Sequence, residues 1–294
     1  MHQLKPVHRI MTAALAASLL LPSGAYAANK AKPFTDSTTA QKYAYEEVMD
    51  LSPSFHFTAS LPGHDQYQYI DRYTSLCRSL YQLDNGKSGY RGDFAAYSLY
   101  HQDTVSYLQV KRGRSWYCYV EDSICYTVTQ SQQQKYRKRK KVLLKSLHLS
   151  KDKTEKAQYK NVRKIYRWIT GHVKYDYAKN KTSAYDALIL KKATCNGYAA
   201  LFYDLCRDSE IPCRIIIGHT DTSRDALHAW NIVRIGKKWY NCDSTWDAGS
   251  IFQPYFLSGS KYFSSDHIPW KRYRTKSFKK HFPISSHDYD PNAL

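Results

Sequence analysis

Acidic residues are scarce in this chain. Twenty-five Asp and Glu face 44 Lys and Arg, a formal charge of +19. Several ligand-binding patterns are missing as well. There is no HExxH helix, no CxxC pair and no EF-hand loop, so the usual zinc and calcium spacings are excluded. Neither zinc-finger spacing nor an RNA-binding aromatic signature occurs, and no specific nucleic-acid partner is expected. Beyond the first thirty residues no stretch is apolar enough to span a bilayer. No cofactor and no metal are expected.

The first residues supply what the rest lacks. Lys5 and Arg9 precede an apolar run from Met11 to Leu21, and Ala25-Tyr26-Ala27 forms a small-x-small site. This pattern predicts a signal peptide over residues 1–27, without the cysteine a lipoprotein would need. Export places the protein outside the cell or on the cell wall of a bacterium. Loss of Lys5 and Arg9 leaves a charge of about +17, which favours contact with an anionic wall polymer or membrane surface through basic patches. Seven cysteines, at 77, 118, 125, 195, 206, 213 and 242, form an odd set. One free thiol and up to three disulfides is the simplest arithmetic for an exported chain. Cys118 with Cys125 across a hairpin, and Cys206 with Cys213, are candidate pairs.

Residues 28–38 read as a polar lead-in. A helix is expected over 39–49, a short strand over 54–58, a helix over 67–82 and a turn at Asp84-Asn85-Gly86. Aromatic and β-branched runs at 105–110 and 116–128 flank Lys111-Arg112-Gly113-Arg114, a hairpin signal. Residues 28–145 therefore form a small α+β accessory region. It ends in the basic tract SQQQKYRKRKKVLLK at 131–145, a linker or solvated helix that would attract polyanions. Residues 146–294 form the catalytic domain. Val162, Ile165, Tyr166 and Ile169 are spaced for a helix ended by Gly171. A short helix is expected over 183–190. Further on come a helix from Cys195 to Arg207, a strand over 213–217, a strand over 228–235, a turn at 236–238 and a partner strand over 239–243.

That order brings chemistry together. Cys195 opens a helix, where unpaired N–H groups and the dipole favour a thiolate. His228 opens a strand that would hold an imidazole rigidly. Asp243 ends the neighbouring strand, within reach of His228. Nucleophile, base and orienting acid are all present. Taken singly, each also suits a plain core or capping role; the shared topology is what joins them.

The stretches Tyr175-Asp176-Tyr177, Ser183-Ala184-Tyr185-Asp186-Ala187-Leu188, Cys195-Asn196-Gly197-Tyr198-Ala199, Ile211-Pro212-Cys213-Arg214, His228-Ala229-Trp230-Asn231 and Trp239-Tyr240-Asn241-Cys242-Asp243-Ser244-Thr245-Trp246-Asp247 make the pattern specific. Residues 162–270 resemble the transglutaminase-like superfamily, particularly its bacterial secreted members. The papain signature Cys-Gly-x-Cys-Trp is absent. The resemblance implies an α+β, papain-like or transglutaminase-like core with the nucleophile at a helix N-terminus packed on an antiparallel sheet. It carries the nucleophile to Cys195, the base to His228 and the acid to Asp243. Tyr198, Trp230, Asn231, Trp246, Asp247 and His267 are candidates for pocket or support roles. The expected substrate is a protein or peptide, with hydrolysis of its amides favoured. Glutamine acyl transfer is the enzymatic alternative. A non-catalytic wall or glycan binder, suggested by the charge and the 27 Tyr, is the third.

Overall fold

The computed structural model describes residues 33–61, 67–87, 89–221 and 223–292; the expected signal peptide lies outside them. Among the described residues no helix is long and apolar enough to cross a membrane. The chain is α+β. Its first part builds helix α1 (Ser37–Met49), strand β1 (Ser54–Leu61) and helix α2 (Tyr67–Thr74). The long hairpin of β2 (Tyr100–Arg112) and β3 (Ser115–Tyr126) follows. These strands form an antiparallel sheet in the order β1-β3-β2. Gly113 takes a φ of +60° in the two-residue hairpin loop, a conformation that glycine adopts without a Cβ penalty. The single helix expected over 67–82 is two pieces, because the chain breaks after Thr74 and resumes as a tighter 3₁₀ turn at Cys77–Leu83.

The basic tract is an ordered helix, α3 (Gln130–Ser146). Thr129 accepts from the Gln132 N–H, and the Gln132 side chain answers the Thr129 N–H, a reciprocal cap. Gln133, Tyr136 and Leu143 bury one face, and the cationic residues lie elsewhere around it.

The second part begins with α4 (Glu155–His172), whose Val162, Ile165, Tyr166 and Ile169 are fully buried. It runs one residue past Gly171. Strand β4 (Lys174–Tyr175), a wide π-helical turn at Asp186–Leu190 and β5 (Lys192–Ala193) lead into helix α5 (Cys195–Asp208). Strands β6 (Cys213–Thr220), β7 (Ser223–Ile235) and β8 (Lys238–Cys242) then form an antiparallel sheet. Helix α6 (Ser260–Phe263), strand β9 (His267–Pro269) and helix α7 (Lys276–His281) complete the chain. Strand β9 returns to pair with β6, so the order is β8-β7-β6-β9. Helix α5 lies on β6 and β7, where Asn231 donates to the Ala199 and Arg214 carbonyls and ties helix to sheet.

One apolar cluster runs through both parts, from Phe57 and Leu80 to Phe202, Ile215 and Trp239. Buried charge links them too. Asp84 accepts from Arg207 at 2.9 Å and from Tyr203, while Asp93 binds Arg214 through two contacts of 2.7 and 3.0 Å. Burying two carboxylates beneath α5 and β6 is tolerable only because each has a cation and further hydrogen-bond donors.

All seven cysteines are free thiols. Cys118 and Cys125 cannot be bridged across a hairpin, because both lie on β3, seven residues apart on one continuous strand. Cys206 and Cys213 are neighbours at the end of α5 and the start of β6. Burial, with each other's proximity, pushes the Cys213 thiol far up.

Candidate active site

Cys195 is the first residue of α5 and is partly exposed. The residue before it, Thr194, makes no side-chain cap. The first N–H groups of the helix are therefore left without a side-chain acceptor, beside the sulfur. Gly197 explains how this helix start is held. A Cβ there would lie 2.6 Å from the Ala193 Cβ and 2.8 Å from the Ser183 carbonyl. Replacing Gly197 with Ala should cost about 1–3 kcal/mol through overpacking against backbone. Urea unfolding of the variant would show it, and a wild-type midpoint would refute the close approach.

His228 stands on β7 opposite Gly218 of β6. Its Nε2 lies 2.6 Å from Asp243 Oδ2. Asp243 follows β8 directly and is fully buried. Its Oδ1 accepts from the Thr245 and Trp246 N–H groups at 2.8 and 3.2 Å, and its Oδ2 also faces His267 Nε2 at 3.1 Å. With Nε2 committed to Asp243, Nδ1 is the ring nitrogen left for the Cys195 thiol. Burial opposes a charge on His228. The Asp243 carboxylate and its hydrogen bond, with a hydrogen bond to Cys195, outweigh burial and raise the imidazole to about 10. Burial likewise works against ionised Asp243, but His228 and His267 hold that carboxyl well below the usual range.

The expected support residues divide into two groups. His267 joins the site: its second ring nitrogen, Nδ1, faces Asp266 Oδ1 at 2.5 Å, and its ring is packed between Trp246 and Phe263 at centroid distances of 4.5 and 3.9 Å. Trp246 also contacts His228, at 5.6 Å. Trp230 is buried against both histidines. Asp247 sits behind Asp243, accepting from Tyr166 at 2.5 Å. Burial raises Asp247 to about 7; the Tyr166 hydrogen bond opposes this and the Asp243 charge adds to it.

Tyr198 and Asn231 do not reach the pocket. Tyr198 is fully buried and donates to the Val173 carbonyl at 2.5 Å, bracing the wall from behind. Asn231 serves the helix–sheet contact described above.

His228 opens onto a cleft of about 1120 Å³. Lys174, Tyr175, Tyr177, Lys191 and Trp246 are among its walls. Burial raises the Tyr175 hydroxyl, and a nearby Cys195 charge adds to it. Sequence reasoning does not place residues 174–177 or Lys191 in a cleft wall, although Tyr175-Asp176-Tyr177 is among the motif stretches and Lys191 reads as positive charge near Cys195. His228, Asp243 and His267 also bring their donor atoms within 4.8 Å of one another. Imidazole and carboxylate suit a transition metal, but binding there would compete with the short hydrogen bonds that already join these groups.

A thiol at an uncapped helix start, an imidazole on a strand of the adjoining sheet and a buried acid hydrogen-bonded to it form a candidate thiol-dependent site. Residues 145–244 match the model of the Transglutaminase-like superfamily, and this stretch is a transglutaminase-like domain. The human Kyphoscoliosis peptidase is 31% identical over 134 residues, covering 37% of this chain and 20% of that protein. The mouse Kyphoscoliosis peptidase is 31% identical over 139 residues, covering 38% and 21%. The chain thus spans about a fifth of the length of these relatives. A crystal structure of a TGase aligns with a TM-score of 0.34 and 15% identity, over 53% of this chain and 47% of that one.

Proposed function

We propose that this protein is an exported thiol enzyme that hydrolyses amide bonds of a protein or peptide, with Cys195 as nucleophile, His228 as acid and base, and Asp243 as the orienting acid. The carrying observation is the 2.6 Å contact of Asp243 with His228 Nε2, which leaves Nδ1 for the partly exposed thiol of Cys195.

The Cys195 sulfur attacks the amide carbonyl carbon and a C–S bond forms. The carbonyl oxygen takes the negative charge, and the Cys195 backbone N–H at the uncapped start of α5 is positioned to donate to it. His228 gives its proton to the leaving nitrogen as the C–N bond breaks, and the amine departs. The acyl-thioenzyme then meets water. His228 takes the water's proton, hydroxide adds to the carbonyl, and the C–S bond breaks to release the acid and restore the Cys195 thiolate beside the protonated His228. Asp243 keeps the ring oriented and stabilises its cationic form throughout.

Acyl transfer differs only in the second step, where an amine replaces water. The aromatic cleft walls Tyr175, Tyr177 and Trp246 are compatible with an alkylamine, so this reading stays in view. Hydrolysis is favoured because water needs no acceptor pocket, and because both mammalian relatives bear the name peptidase. The decisive experiment is mass spectrometry of peptide mixtures incubated with the protein, with and without a labelled primary amine, beside a Cys195→Ala control. Shortened peptides, or glutamines turned to glutamates, without label are expected. Label incorporated only by the unmodified protein would replace hydrolysis with transfer. No change in any arm would favour a non-catalytic polymer binder, whose association should weaken with salt.

A further inference from the structure

Among the described residues, the Lys191 ammonium has no carboxylate counter-ion. It ends the turn that precedes β5, with a left-handed φ of +56°. Its Nζ is buried and has no hydrogen-bond partner among the described residues, resting 3.9 Å from the centre of the Trp168 ring. Aromatic packing compensates part of the lost hydration, but among the described residues no carboxylate shares the charge. Burial first, and Arg139 second, lower this amine to about 8. A buried cation in such surroundings is strongly stabilised by an incoming anion.

The same lysine belongs to two recesses. It lines the cleft onto which His228 opens, and it lines a separate trough of about 690 Å³ along α3. The trough is built from Lys135, Lys138, Arg139 and Val142, which recur at helical spacing, with Leu188 and Ile189 facing them. None of its lining residues is acidic. Charge and apolar surface therefore alternate along a path that meets the cleft at Lys191.

We infer that this trough is a substrate subsite for an acidic peptide segment, whose carboxylates pair with Lys191, Arg139 and Lys138 while the scissile amide of the same chain lies at Cys195. The inference rests on the catalytic reading above for the position of the amide, but the binding itself does not need turnover. Val142 and Ile189 favour a peptide over a polyol phosphate, because they offer contacts to side-chain carbon and none to a fully hydrated polymer.

The test uses the full chain carrying Cys195→Ala, so that binding is read without cleavage. Fluorescence anisotropy would compare labelled octaglutamate with labelled octaglutamine. At low salt the acidic peptide should bind at least about tenfold more tightly, as expected for charge-assisted pairing. Adding Lys191→Met, Arg139→Gln and Lys138→Gln should remove that preference. Neutralising an equal charge on α7 with Lys276→Gln, Lys279→Gln and Lys280→Gln should leave it in place. Equal loss from the two triple variants would reduce the effect to net charge and overturn the subsite. Equal binding of the two peptides, or stronger binding of polyphosphate than of octaglutamate, would also overturn it. Preference for octaglutamate in a protein that cleaves nothing would uphold the subsite and defeat the catalytic reading. Turnover with no acidic preference would do the reverse.

Discussion

Cys195→Ser should lower turnover by at least about 10⁴-fold while leaving the fold intact, because removal of a nucleophile that works with a paired base leaves only binding and oxyanion stabilisation. The substitution is close to isosteric at a partly exposed position, so the thermal midpoint should hold. A serine hydroxyl ionises far less readily than a thiol, and His228 is already held cationic by Asp243 up to about 10. Such an imidazole is poor at removing a proton from an alcohol and well suited to sit beside a thiolate. The other thiols help to isolate the effect. Burial raises Cys77, Cys118, Cys213 and Cys242, and Cys206 is fully enclosed. Iodoacetamide should therefore modify Cys195 and the exposed Cys125, and inactivation should follow Cys195 alone. Retained turnover in Cys195→Ser, or inactivation that tracks Cys125, would remove Cys195 from the nucleophile's role.

The centre was legible in the sequence because its geometry is mostly local. A helix start, a strand and a short β-turn are each encoded nearby, and the Gly236-Lys237 loop fixes the register that sets Asn231 opposite Cys242. Asp243 then has to emerge beside the His228 end of β7. The contact with His267 depends instead on β9 crossing to the far edge of the sheet and pairing with β6. Nothing in the spacing between residues 243 and 267 states that, so His267 could be named but not placed. Tyr198 supports the cleft wall through Val173 and does not line the cleft. It lies three residues from Cys195 on a helix, yet its ring turns into the core, where Val173 supplies an acceptor.

The basic tract shows a second limit. Its run of lysines and arginines hides a sparse buried face, Gln133, Tyr136 and Leu143, and only tertiary packing discloses that it is a fixed wall. Tyr136 reaches Asp204 at 2.7 Å, and Lys140 pairs with the same carboxylate. Cysteine parity failed for a related reason, since a count says nothing of which thiols share a strand. The pairs that join the first part of the chain to α5 and β6, Asp84 with Arg207 and Asp93 with Arg214, span more than a hundred residues and leave no local pattern.

Asp243→Asn should lower turnover by about 10²–10⁴-fold, the range associated with general acid–base catalysis, and should reshape the pH profile. In the unmodified protein His228 is raised from 6.5 to about 10. Its pairing therefore stabilises the fold fully below about 6.5 and loses that contribution as pH rises through about 10. Activity should persist at mildly alkaline pH and fall as His228 loses the proton it must give to the leaving nitrogen. Asp243 adds the complementary acid limb: its carboxyl is held low, so its share of the stability is present above about 3.9 and is lost as pH falls further. An asparagine amide can still accept a hydrogen bond, but it supplies no charge. His228, still buried and now unpaired, should then titrate much nearer neutrality, drawing the alkaline limb down with it. Removing one partner of a buried ion pair costs about 3–5 kcal/mol when the other stays charged. Here the imidazole can shed its proton, so the loss measured at high pH should be smaller than the loss at neutral pH. A merely structural acid would lower stability and activity together without moving the alkaline limb. An unmoved limb in Asp243→Asn, read from kcat against pH beside a denaturant series, would strip Asp243 of its part in positioning and charging His228.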